Sequence, residues 1–173
     1  DTAAAPVHYV LGLLGLLAVG GLARRRAGEA AGWLAVVLLP GAFSLWLLFG
    51  WPYVDLALLA YGAAALVAAG AWCESRRTAG LIVLGLLVGL ALGVKYTAAG
   101  LGLAAVVYAA WQEPRRIVRN GMILALAAGL AYAPWAIKGV LLYHNPIYPF
   151  IFNGLNWDAA RSYLFNTPGT GLI

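Results

Sequence analysis

Five apolar runs, each closed by charge or by Pro and Gly, leave this chain few folds other than a set of membrane helices. They span about Pro6–Ala23, Ala31–Phe49, Val54–Trp72, Leu81–Trp111 and Met122–Tyr143. A hydrocarbon core of about 30 Å takes about 20 apolar residues per helical crossing. Hydrophobic residues make up 64% of the 173 and charged residues 10%. A soluble domain carries about 25% charge, so a water-soluble fold is excluded. No long polar segment is left to build a separate soluble domain. The expected fold class is all-α: a polytopic transmembrane bundle over residues 1–143, followed by a Pro- and aromatic-rich interfacial segment over residues 144–173.

Charge sets the path of the chain. The run Leu81–Trp111 would be about 45 Å long as one helix, too long for a crossing without strong tilt. Gly93-Val94-Lys95-Tyr96-Thr97 is its one polar break. Split there, the chain makes about six crossings, and Arg24–Arg26, Arg76, Arg77, Arg115, Arg116 and Arg119 fall on one face. Those are eight of the eleven cations. Unsplit, the asymmetry is largely lost. The positive-inside rule therefore favours two short helices and makes the arginine face cytoplasmic. Lys95, Lys138 and Arg161 go to the outer face, with Asp55, Asp158 and the aromatics Trp51, Tyr53, Tyr96, Tyr143, Tyr148 and Trp157.

The net charge of +5 reflects these loop arginines and not nucleic-acid binding. Single Cys73 excludes an intrachain disulfide and a Cys-rich metal site. No His/Asp/Glu spacing suggests a metal, no Gly-rich loop cradles phosphate, and no Ser-His-Asp set is visible, so neither metal nor cofactor is expected. His8 and His144 lie near the outer boundary and read as belt residues. No basic region precedes the first run, which argues against a signal peptide. A start without Met and an end without a polar tail read as a piece of a longer protein. The Gly- and Ala-rich composition suggests a bacterial source, hence a cytoplasmic (inner) membrane.

Each residue with chemical potential has two readings. Lys95 is either a turn lysine whose ammonium reaches the interface or a cation for phosphate. Asp55 opens a helix, where unpaired N–H groups and the dipole favour a carboxylate; it either caps that helix or positions a polar group. Lys138, one turn after Pro134, points into the bundle or to the headgroups. Small-residue stretches such as Gly62–Ala65 and Ala98–Gly102 mean tight packing or a substrate groove. The segment His144-Asn145-Pro146-Ile147-Tyr148-Pro149 cannot continue a helix and forms a lid or an interfacial element.

The order of these pieces resembles one family. Tyr53-Val54-Asp55 opens a helix; Gly89-Leu90-Ala91-Leu92-Gly93-Val94-Lys95-Tyr96-Thr97-Ala98 follows; then Ala133-Pro134-Trp135-Ala136-Ile137-Lys138 and Asn145-Pro146-Ile147-Tyr148-Pro149-Phe150. From the first helix to about Gly171 the chain is similar to the middle of C-superfamily membrane glycosyltransferases, the dolichyl-phosphate-mannose-protein mannosyltransferase-like group. The resemblance implies inverting sugar transfer from a polyprenyl-phosphate donor on the extracytoplasmic side. Lys95 and Lys138 would then hold the lipid phosphate. Asp55, Tyr53, Tyr96, His144, Asn145 and Tyr148 would line the outer cavity. The family's catalytic carboxylate belongs to a loop ahead of the first helix seen here, so no catalytic residue is assigned and Asp1 would be at most its remnant. The expected partners are membrane lipids, the polyprenyl-phosphate sugar and other membrane subunits. A non-catalytic accessory or scaffold subunit of a larger bacterial membrane complex, such as an energy-transducing or photosynthetic assembly, is the competing reading. A small transporter ranks last, for want of an internal repeat.

Overall fold

Lipid offers backbone groups no partner, so an apolar run must satisfy its own N–H and C=O groups as helix. The structure, a computed structural model, describes residues 4–51 and 53–148. Seven α-helices account for nearly all of them: α1 (Ala4–Ala27), α2 (Glu29–Leu38), α3 (Phe43–Gly50), α4 (Asp55–Ser75), α5 (Thr78–Val94), α6 (Ala99–Gln112) and α7 (Ile117–Tyr143). No strand occurs among the described residues. The chain forms two compact units, residues 1–132 and 133–173. The expected segment 144–173 falls in the second, and residues 149–173 lie outside the described residues.

Within the first unit, α1 and α2 reverse direction, as do α4 and α5. Gly28 turns α1 back into α2 at φ 88°, a left-handed conformation open to glycine at no Cβ cost. Gly20 then faces Gly32 and Val36 across the hairpin. α1 and α4 run parallel, with Gly12 against Leu56 and Gly15 against Ala60. α4 and α5 are antiparallel: Gly80 meets Trp72 at one end, and Lys95 meets Asp55 at the other. Gly102 of α6 faces Val88 of α5. The core of Ala65, Ala68, Trp72, Leu81, Leu84 and Leu124 lies among α4, α5, α6 and α7.

The break in Leu81–Trp111 falls where the polar residues are. Lys95 is extended (φ −155°, ψ 129°), and a 3₁₀ turn over Tyr96–Ala98 leads into α6. The second apolar run differs from expectation. It is not one helix: Pro40 sits in a 3₁₀ turn at Leu39–Gly41, and the halves Glu29–Gly41 and Phe43–Gly50 meet at a bend of 72°. Proline has no N–H to donate and its ring clashes with the preceding turn.

Among the described residues, three stretches are long and apolar enough to cross a membrane, Ala4–Ala27, Asp55–Ser75 and Pro114–Tyr143, or four if the bent pair counts as one span. That is fewer than the six expected. α5 has 17 residues and α6 has 14, about 25 and 21 Å of rise, both short of the ~30 Å hydrocarbon.

The outward faces are apolar. Trp111 is 83% exposed, Leu126 75% and Leu130 71%. A soluble monomer does not present such continuous apolar surface, whereas lipid matches it. Inside, small residues bring α5 and α7 into backbone contact: a Cβ on Gly85 would meet the Leu124 carbonyl oxygen at 2.8 Å, and one on Gly89 would overlap the Ala128 carbonyl. Gly62 of α4 faces open space. Gly89→Val should therefore destabilise the protein by about 1–3 kcal/mol or more through overpacking, while Gly62→Ala should leave stability unchanged or slightly raised. Thermal unfolding in mild detergent reads both; equal effects at the two positions would contradict the packing described.

Candidate functional site

The two ends of the first unit carry different charge. At one end, α1, α4 and α6 finish and α5 and α7 begin, and the arginines gather there. The Arg76 guanidinium donates to Gln112 Oε1 (2.9 Å) and to the Gln112 carbonyl (3.2 Å), and it lies over the Trp72 ring at 5.2 Å. Arg119 donates to Thr78 Oγ1 at 2.8 Å, and Asn120 Nδ2 donates to Glu113 Oε2 at 2.9 Å. These bonds tie the starts of α5 and α7 and the ends of α4 and α6 together. Apart from Arg76–Trp72, four residues apart at the end of α4, these pairs do not follow from residue spacing alone, since the partners come from different helices.

At the other end, α4 begins at Asp55 and α5 stops at Lys95. The Lys95 ammonium donates to Asp55 Oδ1 at 2.9 Å. The two side chains keep 45% and 31% of their surface, so the pair is accessible. Both sequence readings of these residues assumed a single side chain: the structure makes them partners, 40 residues apart. Asp55 remains in the first turn of α4, where the dipole favours it. Tyr96 follows in the same turn and its side chain bonds to that of Tyr132. Tyr53 is exposed and stacks on Trp51, with ring centroids 6.2 Å apart. Tyr9 meets Phe49 edge-on at 5.3 Å.

His8 departs from the belt reading. It is buried, 8% exposed, and its Nε2 has no hydrogen-bond partner among the described residues. It lies one turn before Gly12, which packs against Leu56, and so faces the start of α4, where the charge of Asp55 reaches it. The signal was present in the chain: His8, Gly12, Gly15 and Leu16 share one helical face, and all four are buried.

The remaining candidates belong to the second unit. Lys138 is exposed and its ammonium lies 4.9 Å from the centroid of Trp135, a cation–π contact one turn apart. His144 adopts φ 54° just past the end of α7, a left-handed conformation in which His is enriched over most residues. Buried Asn145 closes that end: its N–H donates to the Gly139 carbonyl (3.3 Å), and its Oδ1 accepts from Ile147 N–H (3.0 Å). Tyr148 stacks on Tyr143 with centroids 4.4 Å apart. Asn145 thus builds the helix terminus through its own backbone and side chain.

Among the described residues, no group of three His, Cys, Asp or Glu side chains could hold a metal ion.

Apolar outer faces, spanning helices and charge sorted to the helix ends define an integral, polytopic helical membrane protein. The family profile of dolichyl-phosphate-mannose-protein mannosyltransferases matches residues 1–137, and the chain belongs to that family. It is a membrane glycosyltransferase-like protein. The match contains Tyr53–Asp55 and Gly89–Ala98, and it stops before Asn145–Phe150. No curated protein and no solved structure matches the chain.

The pair Lys95–Asp55 is partly solvated, so its net contribution to stability is small. A double-mutant cycle over Lys95→Met and Asp55→Asn, read by thermal unfolding, should give a coupling of about 0.2–1 kcal/mol. A coupling of several kcal/mol would mean a dry, structural pair and would contradict an accessible site.

Proposed function

We propose that this protein takes part in sugar transfer from a polyprenyl-phosphate donor at the extracytoplasmic surface, with Lys95 as the cation for the donor's phosphate. The observation that carries the reading is an accessible lysine at a helix-hairpin tip, inside the family-matched region, at the end of the unit opposite the arginines. By the positive-inside rule the arginine end is cytoplasmic, so the Lys95 end is the outer one.

In such a transfer an acceptor nucleophile bonds to the anomeric carbon and gives up its proton to a base, the C–O bond between sugar and phosphate breaks, and the departing lipid phosphate gains negative charge. A fixed cation stabilises that charge in the transition state. Asp55 holds the ammonium in place while no donor is bound. A phosphate at the headgroup level then replaces it as the partner of Lys95. Lys138, held against Trp135 within the second unit, is proposed by itself as a phosphate-binding cation. Tyr53 and Tyr96 are proposed to line a cavity of the first unit, and the proposed lining role of His144, Asn145 and Tyr148 is kept to the second unit. None of these residues is assigned as the general base. Membrane lipids and the lipid-linked sugar are the proposed partners, in a bacterial inner membrane.

Replacing Lys95 in the full protein tests this directly. Lys95→Met should lower kcat/KM for lipid-linked sugar by about 10²-fold, the scale seen when one charge-stabilising donor is removed. Lys95→Arg should retain more activity than Lys95→Met, and Asp55→Asn should cost less than Lys95→Met. Membrane insertion and yield should stay normal. Unchanged transfer in Lys95→Met would sink the phosphate role. Absence of any sugar transfer by the unaltered protein, together with copurification at fixed stoichiometry, would favour an accessory subunit.

A further inference from the structure

A cavity of about 440 Å³ opens on the side of the first unit, between α1, α4 and α6, in its arginine half. Its lining is sorted along its length. The helices α1, α4 and α6 run parallel, so higher numbers lie nearer the arginine end on all three. Leu22, Leu66 and Leu101 line the deep part, and core Leu84 also borders the cavity. Arg26 and Tyr108 line the end nearest the arginines. From Leu101 to Tyr108 the groove follows α6 for about 10 Å. One end is cationic and hydroxylic, and the rest is hydrocarbon.

The surrounding groups give the polar end a sign. Tyr108 meets the Trp72 ring edge-on with centroids 6.2 Å apart, and the Arg76 guanidinium lies over that same ring. Arg76 is engaged with Gln112 and Trp72. Arg26 is exposed and has no hydrogen-bond or ion-pair partner among the described residues. Arg24, Arg25, Arg76 and Arg77 end α1 and α4, against Glu29, Glu74 and Glu113 at the same end. The local balance is positive.

We infer that this groove binds one anionic phospholipid of the arginine-side leaflet, its phosphate on Arg26 and one acyl chain along α4 and α6. A head-and-tail molecule matches a groove that is polar at one end only. A protein helix covering the same face would set apolar side chains against an unpaired guanidinium, which is costly in lipid. Basic pockets between membrane helices on the cytoplasmic side select anionic headgroups on these grounds. The site is separate from Lys95 and Asp55, which sit at the opposite end of α4 and α5.

Native mass spectrometry of the full protein from nanodiscs tests this, using equal phosphatidylglycerol and phosphatidylethanolamine with identical acyl chains. The unaltered protein should retain one phosphatidylglycerol over phosphatidylethanolamine by about fivefold, the effect of one guanidinium on an anionic headgroup. Arg26→Gln should bring that ratio near unity without loss of total bound lipid. Arg25→Gln, outside the groove, should keep it. Ala104→Phe, which fills the groove wall, should reduce retention of both lipids. Melting temperatures near that of the unaltered protein identify folded variants, and a photoreactive residue at Leu66 reports the occupant where a variant fails to fold. Capture of acyl chain by that residue supports the inference. Capture of a protein segment or second copy, an Arg26→Gln ratio equal to that of the unaltered protein, or full retention in Ala104→Phe overturns it.

Discussion

In hydrocarbon a backbone N–H or C=O without a partner costs several kcal/mol. That cost decides where this chain bends. Among the described residues up to α7, the α-helices break at Gly28, Leu39–Ala42, the turn before Asp55, Arg76–Arg77, Lys95–Ala98 and Glu113–Arg116. Most of them are where charge or a special residue gathers. Gly28 supplies a left-handed turn, Pro40 removes a donor, and the arginine turns can be solvated by water and headgroups. Among the described residues, only the Lys95 turn combines a break with an ion pair between helices. There the ammonium and carboxylate satisfy each other while both remain accessible, so a hairpin of two short helices can end on a lysine.

The small residues follow from the same constraint. Once the backbone is satisfied internally, helices in lipid gain little from burying apolar side chains against one another, and close van der Waals contact decides which of them pack. Gly85 and Gly89 let α5 approach the carbonyls of α7, and Gly12 and Gly15 let α1 approach α4. Gly80 of α5 packs on Trp72 of α4 in the same way, in a register that leaves Asp55 opposite Lys95. The chemistry proposed for the outer end therefore depends on glycines that never touch a substrate.

Much of this was legible in the residues. Run lengths and composition give the helical class, and the polar interruption at Lys95 marks a real break in what could have been a single rod. The arginine runs identify which helix ends share a side. Other features needed coordinates. Pro40 was visible, yet its run was long enough for one crossing and so read as unbroken. The Lys95–Asp55 pair joins residues 40 apart, a distance that no helical periodicity encodes. His8 read as a belt residue by position, although the glycines four and seven residues on place it on the packed face. Lys138 and Asn145 were expected at a lipid phosphate or cavity wall; within their own unit they are seen stacking on Trp135 and closing the end of α7.

The central claim is that the Lys95 turn and the arginine-bearing turns lie on opposite sides of the membrane. Single cysteines at Thr97 and at Arg116, each in a Cys73→Ala background, report this in sealed right-side-out vesicles treated with a membrane-impermeant maleimide. The account predicts labelling at position 97 in intact vesicles, and labelling at position 116 only after permeabilisation. Equal accessibility of both positions from one side would contradict it.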